Sequence, residues 1–102
     1  MSEYDIRQYR LMLEITKKPI SSMSGLIKAI NDLQALLSTL EEKDNEWLSA
    51  FMHEWWILEE NYAYNRSENI ENLTEMVSTQ INISLQKLAE MVDQKIQKGL
   101  GS

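Results

Sequence analysis

Ser22-Met23-Ser24-Gly25-Leu26-Ile27-Lys28-Ala29-Ile30-Asn31-Asp32-Leu33-Gln34-Ala35-Leu36-Leu37-Ser38-Thr39-Leu40 is the stretch whose reading decides the fold. Met23, Leu26, Ile27, Ile30, Leu33, Leu37 and Leu40 recur mostly at steps of three and four, the period of an α-helix with one apolar stripe. The opposite face carries Lys28, Asn31, Gln34 and Ser38. Ser21 or Ser22 can cap the start, because a hydroxyl there accepts a first-turn N–H that has no partner within the helix. A stripe of this kind is buried only by packing against other elements, so the neighbouring segments must supply them.

Upstream, Glu3 to Thr16 reads as a helix with Ser2 as its cap and Asp5 three residues on, a weakened capping box. Ile6, Tyr9 and Leu13 mark its apolar side; Leu11, Met12 and Ile15 blur it, and a short strand over Leu11–Thr16 is the alternative. Pro19 ends the segment, since proline disfavours helical geometry in the residue before it. Downstream, Glu41-Glu42-Lys43-Asp44-Asn45 reads as a charged turn, and Asp44 caps a third helix that runs to about Tyr64. Asn65-Arg66 reads as a break, with Ser67 capping a fourth helix through Ile70, Leu73, Val77, Ile81, Leu85, Leu88, Val92 and Ile96. The polar stretch Thr79–Ser84 invites a kink there, and Gly99 suits a C-cap. The expected fold is all-α: an antiparallel bundle of four helices, five if the last one breaks, in a single domain over residues 1–100. The tail Lys98-Gly99-Leu100-Gly101-Ser102 reads as a helix stop or a cloning remnant, and Gly101 and Ser102 are left out of the functional reading.

Composition removes much chemistry. The 102 residues hold 16 acids and 10 bases, a net charge of -6, and no cysteine. Without cysteine there is no disulfide framework, thiolate zinc site or cysteine nucleophile. The acidic balance argues against direct nucleic-acid binding, which needs a basic surface. The longest apolar run, Trp55-Trp56-Ile57-Leu58, is far short of the roughly 20 residues of a spanning helix, so no membrane association is expected. Met1-Ser2-Glu3-Tyr4-Asp5 has none of the positive charge that opens a secretory signal, and a cytoplasmic protein is expected. The N-x-S/T triplets at Asn65, Asn72 and Asn82 then read as chance. His53 is the one histidine; a zincin motif would need a second at position 57, which is Ile57, and a diiron motif a glutamate at position 50, which is Ala50. No nucleophile motif or glycine-rich phosphate loop is present. The expectation is no enzyme, no catalytic residues, no metal and no cofactor.

What remains is where the charge sits. From Glu41 to Glu75 there are ten acids and two bases, a local charge of -8 against +2 for the rest. This segment contains all three tryptophans, Tyr62 and Tyr64. On a wheel of about 100° per residue, Trp47, Leu48, Phe51, Trp55, Leu58 and Tyr62 fill one arc of the third helix. Glu46, His53, Trp56, Ile57, Glu60 and Tyr64 fall on the other side, and Glu54 and Glu59 flank the apolar arc. Acids beside aromatics suit a cationic protein partner: charge speeds encounter and buried rings anchor it. Glu46, Glu54, Trp56, Glu59, Glu60 and Tyr64 are therefore the candidate partner-binding residues, with Trp47, Phe51 and Trp55 as scaffold. Trp56 and Tyr64 are instead a second core face if the helix is central and covered on both sides.

The pattern E-W-x-x-x-F-x-x-E-W-x-x-L-E-E-x-Y-A from Glu46 to Ala63 follows Ile20-Ser21, Leu26-Ile27, Leu33, Leu36-Leu37 and Leu40-Glu41. Together they resemble small acidic helical immunity proteins of bacterial contact-dependent growth inhibition and other polymorphic toxin systems. The resemblance covers about two-fifths of the chain and carries no catalytic residues with it. It implies a cytoplasmic protein that binds and neutralises a cognate toxin domain, often a basic nuclease such as an RNase. The alternative is a self-associating helical adaptor, a homodimer through the second face of the third helix.

Overall fold

A computed structural model describes residues 1–101, which form four helices: α1 (Glu3–Lys17), α2 (Met23–Ser38), α3 (Asn45–Ser67) and α4 (Glu75–Gly101). No strand occurs among the described residues, so the strand alternative at Leu11–Thr16 falls away and α1 is helical throughout. Each of the first three helices starts with the expected chemistry. The side chain of Ser2 accepts the N–H of Asp5, that of Ser22 accepts the N–H of Gly25, and that of Asp44 accepts the N–H of Trp47. The end of α2 closes on donors from the turn beyond it. Thr39 Oγ1 donates to the Leu36 carbonyl at 2.7 Å, and Lys43 Nζ donates to that of Leu37 at 3.0 Å. Cations suit a helix carboxyl end, and the acids Glu41 and Glu42 lie outside it, in the turn.

The boundary between α3 and α4 differs from the sequence reading. Asn65, Arg66 and Ser67 belong to the last turn of α3, and Ser67 caps nothing downstream. The helix ends in a Schellman motif: the N–H of Ile70 reaches the Asn65 carbonyl at 2.8 Å, and that of Asn69 reaches the Arg66 carbonyl at 3.2 Å. Asn69 adopts φ 56°, the left-handed region that asparagine tolerates better than most side chains. α4 starts later, where Thr74 Oγ1 accepts the N–H of Val77 at 3.2 Å. It then runs through Thr79–Ser84 and past Gly99 as one helix to Gly101, so neither the break nor the Gly99 cap occurs. The polar side chains of that stretch are engaged in ways that leave the helix intact. Asn82 is braced across the bundle against Ile20, and Thr79 Oγ1 donates to the Glu75 carbonyl one turn back. Gly101 closes α4; Ser102 lies outside the described residues.

α1 packs on α2 and α4, and α3 packs on the same two, so the helices form a ring with α1 diagonal to α3. Short turns alternate the directions, and cross-contacts set the register. Lys95 of α4 meets Asp44 at 2.7 Å, and Trp47 Nε1 donates to the Met91 carbonyl at 3.2 Å. The result is an antiparallel four-helix bundle 46 Å long and about 20 Å across. Its interior is one cluster that takes Tyr9 and Met12 from α1, the α2 stripe, Phe51, Trp55 and Leu58 from α3, and Ile81, Leu85, Leu88, Val92 and Ile96 from α4. Trp47 stacks on Phe51 with centroids 5.0 Å apart and meets Tyr9 edge-on at 5.3 Å. Trp55 Nε1 donates to the Ile30 carbonyl at 3.1 Å, which gives this buried indole its polar partner.

Two polar side chains tie the turns to the bundle. Asp5, 1% exposed, accepts the N–H of Glu41 at 2.8 Å and of Glu42 at 3.1 Å, fixing the α2–α3 turn onto α1. Asn82 accepts the N–H of Ile20 at 3.1 Å and donates to its carbonyl at 3.4 Å, fixing the α1–α2 turn onto α4.

Candidate functional site

α3 is the helix with two faces. Its inner arc is consumed by the core, with Phe51 and Leu58 fully buried and Trp55 nearly so, and Trp47, Leu48 and Tyr62 packed at its margins. The outer arc carries Glu46, His53, Trp56, Glu60 and Tyr64, all exposed. The stripe from Glu46 to Tyr64 spans about 27 Å at 1.5 Å per residue. Trp56 is 52% exposed and Tyr64 60%. They are therefore not a second core face, because no helix covers this side of α3. The Trp56 and Trp55 rings meet in a T-shaped arrangement with centroids 5.3 Å apart, so Trp56 touches a core residue while about half of it stays exposed.

The six candidate residues do not form one cluster. Glu46, Trp56, Glu60 and Tyr64 share the outer face. Glu54 turns to the α3–α4 seam: its side chain is 16% exposed, Oε1 lies 3.9 Å from Lys87 Nζ, and Oε2 is buried without a hydrogen-bond partner. Glu59 is half-buried on the other edge of the apolar arc. Glu54 thus belongs to the packing of α3 on α4, and Glu59 can reach a partner only from the margin. A helical wheel puts both on the flanks, and burial separates them from the exposed four.

The acidity of the segment is largely uncompensated. Of its ten acids, only Asp44 and Glu54 lie within 4 Å of a base among the described residues. Asp44 is the exception that serves the fold. Its carboxyl is held below the usual range by the hydrogen bond from Lys95, then by the N–H of Trp47. Lys95 also sits 5.8 Å from the centroid of the Trp47 ring. Glu46 and Glu60 have no such partner, so their field is directed outward.

Other concavities are separate from this face. A hollow of about 210 Å³ lies among Asp5, Tyr9, Glu42, Asp44 and Lys95. Tyr9 is pushed up to about 12 there, first by burial and then by the negative charge of Asp5, Asp44 and Glu42, which oppose a phenolate. A larger groove of about 540 Å³ runs between α1 and α2. No group of three or more metal-ligating side chains is placed to hold an ion among the described residues. His53 is exposed on the outer face of α3, away from both hollows. No helix is long and apolar enough to cross a membrane among the described residues.

Sequence reasoning misses Asp5 and Asn82 as structural ties. Asp5 reads locally as a first-turn acid, and nothing nearby marks its long-range role. Asn82 sits in an N-x-S triplet, and its half-buried amide is engaged with Ile20 and Ser78. No protein family, curated protein or solved structure matches the chain, and its site is read from its own chemistry.

Proposed function

We propose that the protein is an immunity-type inhibitor that neutralises a cognate toxin domain, a basic nuclease, by docking the outer face of α3 over its active site or its RNA-binding groove. The observation that carries this reading is Trp56. The core closes without it, yet half of this large residue is exposed on the same face as the uncompensated carboxylate of Glu60. An exposed aromatic is well suited to anchor a partner, because a large ring with few rotatable bonds gains much buried area for little lost freedom. Glu46 and Glu60, with Glu59 at the margin, stand where substrate phosphates would meet the basic toxin surface. Inhibition is then stoichiometric and competitive with nucleic acid. Like charge on this face disfavours pairing it with an identical face, so a symmetric α3-to-α3 dimer is the weaker reading.

The test is to look immediately upstream for a gene encoding a large secreted protein and to co-purify its carboxyl-terminal domain with this chain; a neighbourhood without such a gene counts against the reading. A 1:1 complex that abolishes the domain's nuclease activity, with inhibition relieved by excess RNA, supports the reading. A domain that neither binds this chain nor loses activity contradicts it.

A further inference from the structure

We propose that Trp56, Glu59 and Glu60 form a receptor for one arginine side chain of the partner. This rests on reading the outer face of α3 as the docking face, and it names the chemistry which that face recognises. Residues three and four apart on a helix are neighbours, with about 5–6 Å between Cβ atoms, so both carboxylates stand one turn beyond the indole. On a wheel of about 100° per residue, Glu59 lies about 60° to one side of Trp56 and Glu60 about 40° to the other. The indole is thus bracketed by two negative charges. Half of Trp56 is exposed, Glu60 is exposed and Glu59 is half-buried.

Two contacts fix what borders this group. Glu54 lies 3.9 Å from Lys87 of α4, and Trp55 donates to the Ile30 carbonyl of α2. One further step of about 100° carries Trp56 to the α2 side of the exposed face, away from Lys87. α2 carries two charges, Lys28 and Asp32, which pair with each other at 2.7 Å and line the groove towards α1. Its other flank, with Met23, Ile27, Ile30 and Gln34 at steps of four and three, carries none. Among the described residues no base lies within 4 Å of Glu59 or Glu60. Two carboxylates therefore stand beside an exposed indole with no cation of the chain's own to neutralise them. Glu59 is partly out of water, where a charge pair is stronger than at an open surface. Arginine answers this arrangement better than lysine. Its guanidinium is planar, so it stacks against an indole while its forked N–H donors reach the carboxylates beside it. It is also less strongly hydrated than an ammonium, so it costs less to bring against the uncharged α2 flank. An arginine that otherwise holds an RNA phosphate would then be occupied by Glu59 and Glu60.

The experiment needs no partner domain. N-acetyl-arginine amide is titrated into the isotopically labelled whole protein, to about 50 mM because a single side chain binds weakly, and the indole N–H signals are followed by NMR at constant ionic strength. Trp47 and Trp55 donate to the Met91 and Ile30 carbonyls and serve as internal controls, and Trp56→Phe assigns the remaining signal. The Trp56 signal should move and approach saturation while the other two stay. N-acetyl-lysine amide should move it at most about a third as far. Glu59→Gln/Glu60→Gln keeps the side-chain shapes and should abolish the response; if circular dichroism shows that this variant has lost helicity, Glu60→Gln alone should weaken it. A Trp56 signal that stays still, that moves equally with lysine, or that still moves fully in the carboxylate variant overturns the proposal. A toxin domain that binds the wild-type protein despite such a result leaves the immunity reading standing, so the two failures are distinguishable.

Discussion

Trp55 and Trp56 are adjacent in sequence and opposite in role, and replacing each with alanine measures the difference. Trp55 is 4% exposed and donates to the Ile30 carbonyl, so Trp55→Ala opens a core cavity and removes a buried hydrogen bond. Such truncations cost about 3–5 kcal/mol. Trp56 loses its edge contact with Trp55, worth about 0.5–1.5 kcal/mol, and the burial of about half a ring, partly offset by the better helix propensity of alanine. The sum for Trp56→Ala is about 1–2 kcal/mol. At roughly 4–8 °C per kcal/mol for a domain near this size, Trp56→Ala lowers Tm by about 4–16 °C and Trp55→Ala by about 12–40 °C. Urea and thermal unfolding followed by far-ultraviolet circular dichroism read both without relying on the removed fluorophore. Equal losses would refute the division of α3 into a core face and a free face, because Trp56 would then be scaffold.

Asp5→Asn should destabilise by about 1–2 kcal/mol, since an amide offers one acceptor oxygen where two N–H groups need one each; urea titration reads it, and an unchanged midpoint would mean that Asp5 does not hold the turn. The Tyr9 phenol, raised to about 12, binds its proton more tightly in the folded chain than in the unfolded one. Its contribution to stability is therefore full below about pH 10 and is lost as pH rises towards 12. Tyrosinate absorbance should show one late-titrating residue, and Tyr9→Phe should remove that step. Asn69→Gly should stabilise by about 0.5–1 kcal/mol and Asn69→Ala destabilise by about 1 kcal/mol, because the position needs positive φ; the two midpoints moving in the same direction would contradict the Schellman assignment.

The parts of the fold that were legible are those where local chemistry and periodicity agree. The α2 stripe, the caps at Ser2, Ser22 and Asp44, and the two-faced α3 all follow from spacing within a few turns. The end of α3 was not legible. Asparagine, rather than glycine, occupies the left-handed position at 69, while Ile70 and Leu73 continue an apolar rhythm through what is a loop. Ser67 then resembles a cap, although its hydroxyl donates to Tyr64 within α3. For the candidate face, the wheel separates Trp56 from Trp55 correctly, yet it does not tell the seam residue Glu54 from the open residue Glu60. That distinction depends on where α4 lies, and α4 packs on α3 through contacts more than thirty positions away in sequence, such as Glu54 with Lys87.

The most direct test of the central claim is the association rate of the proposed toxin domain with wild-type protein and with Glu46→Lys/Glu60→Lys, measured across a range of salt. Both residues are exposed and unpaired among the described residues, so the fold should persist, as circular dichroism would verify. An acidic docking face predicts an on-rate at least about tenfold slower for the double variant at low salt, with the gap closing as salt rises. An unchanged on-rate and affinity at every salt concentration would contradict the account.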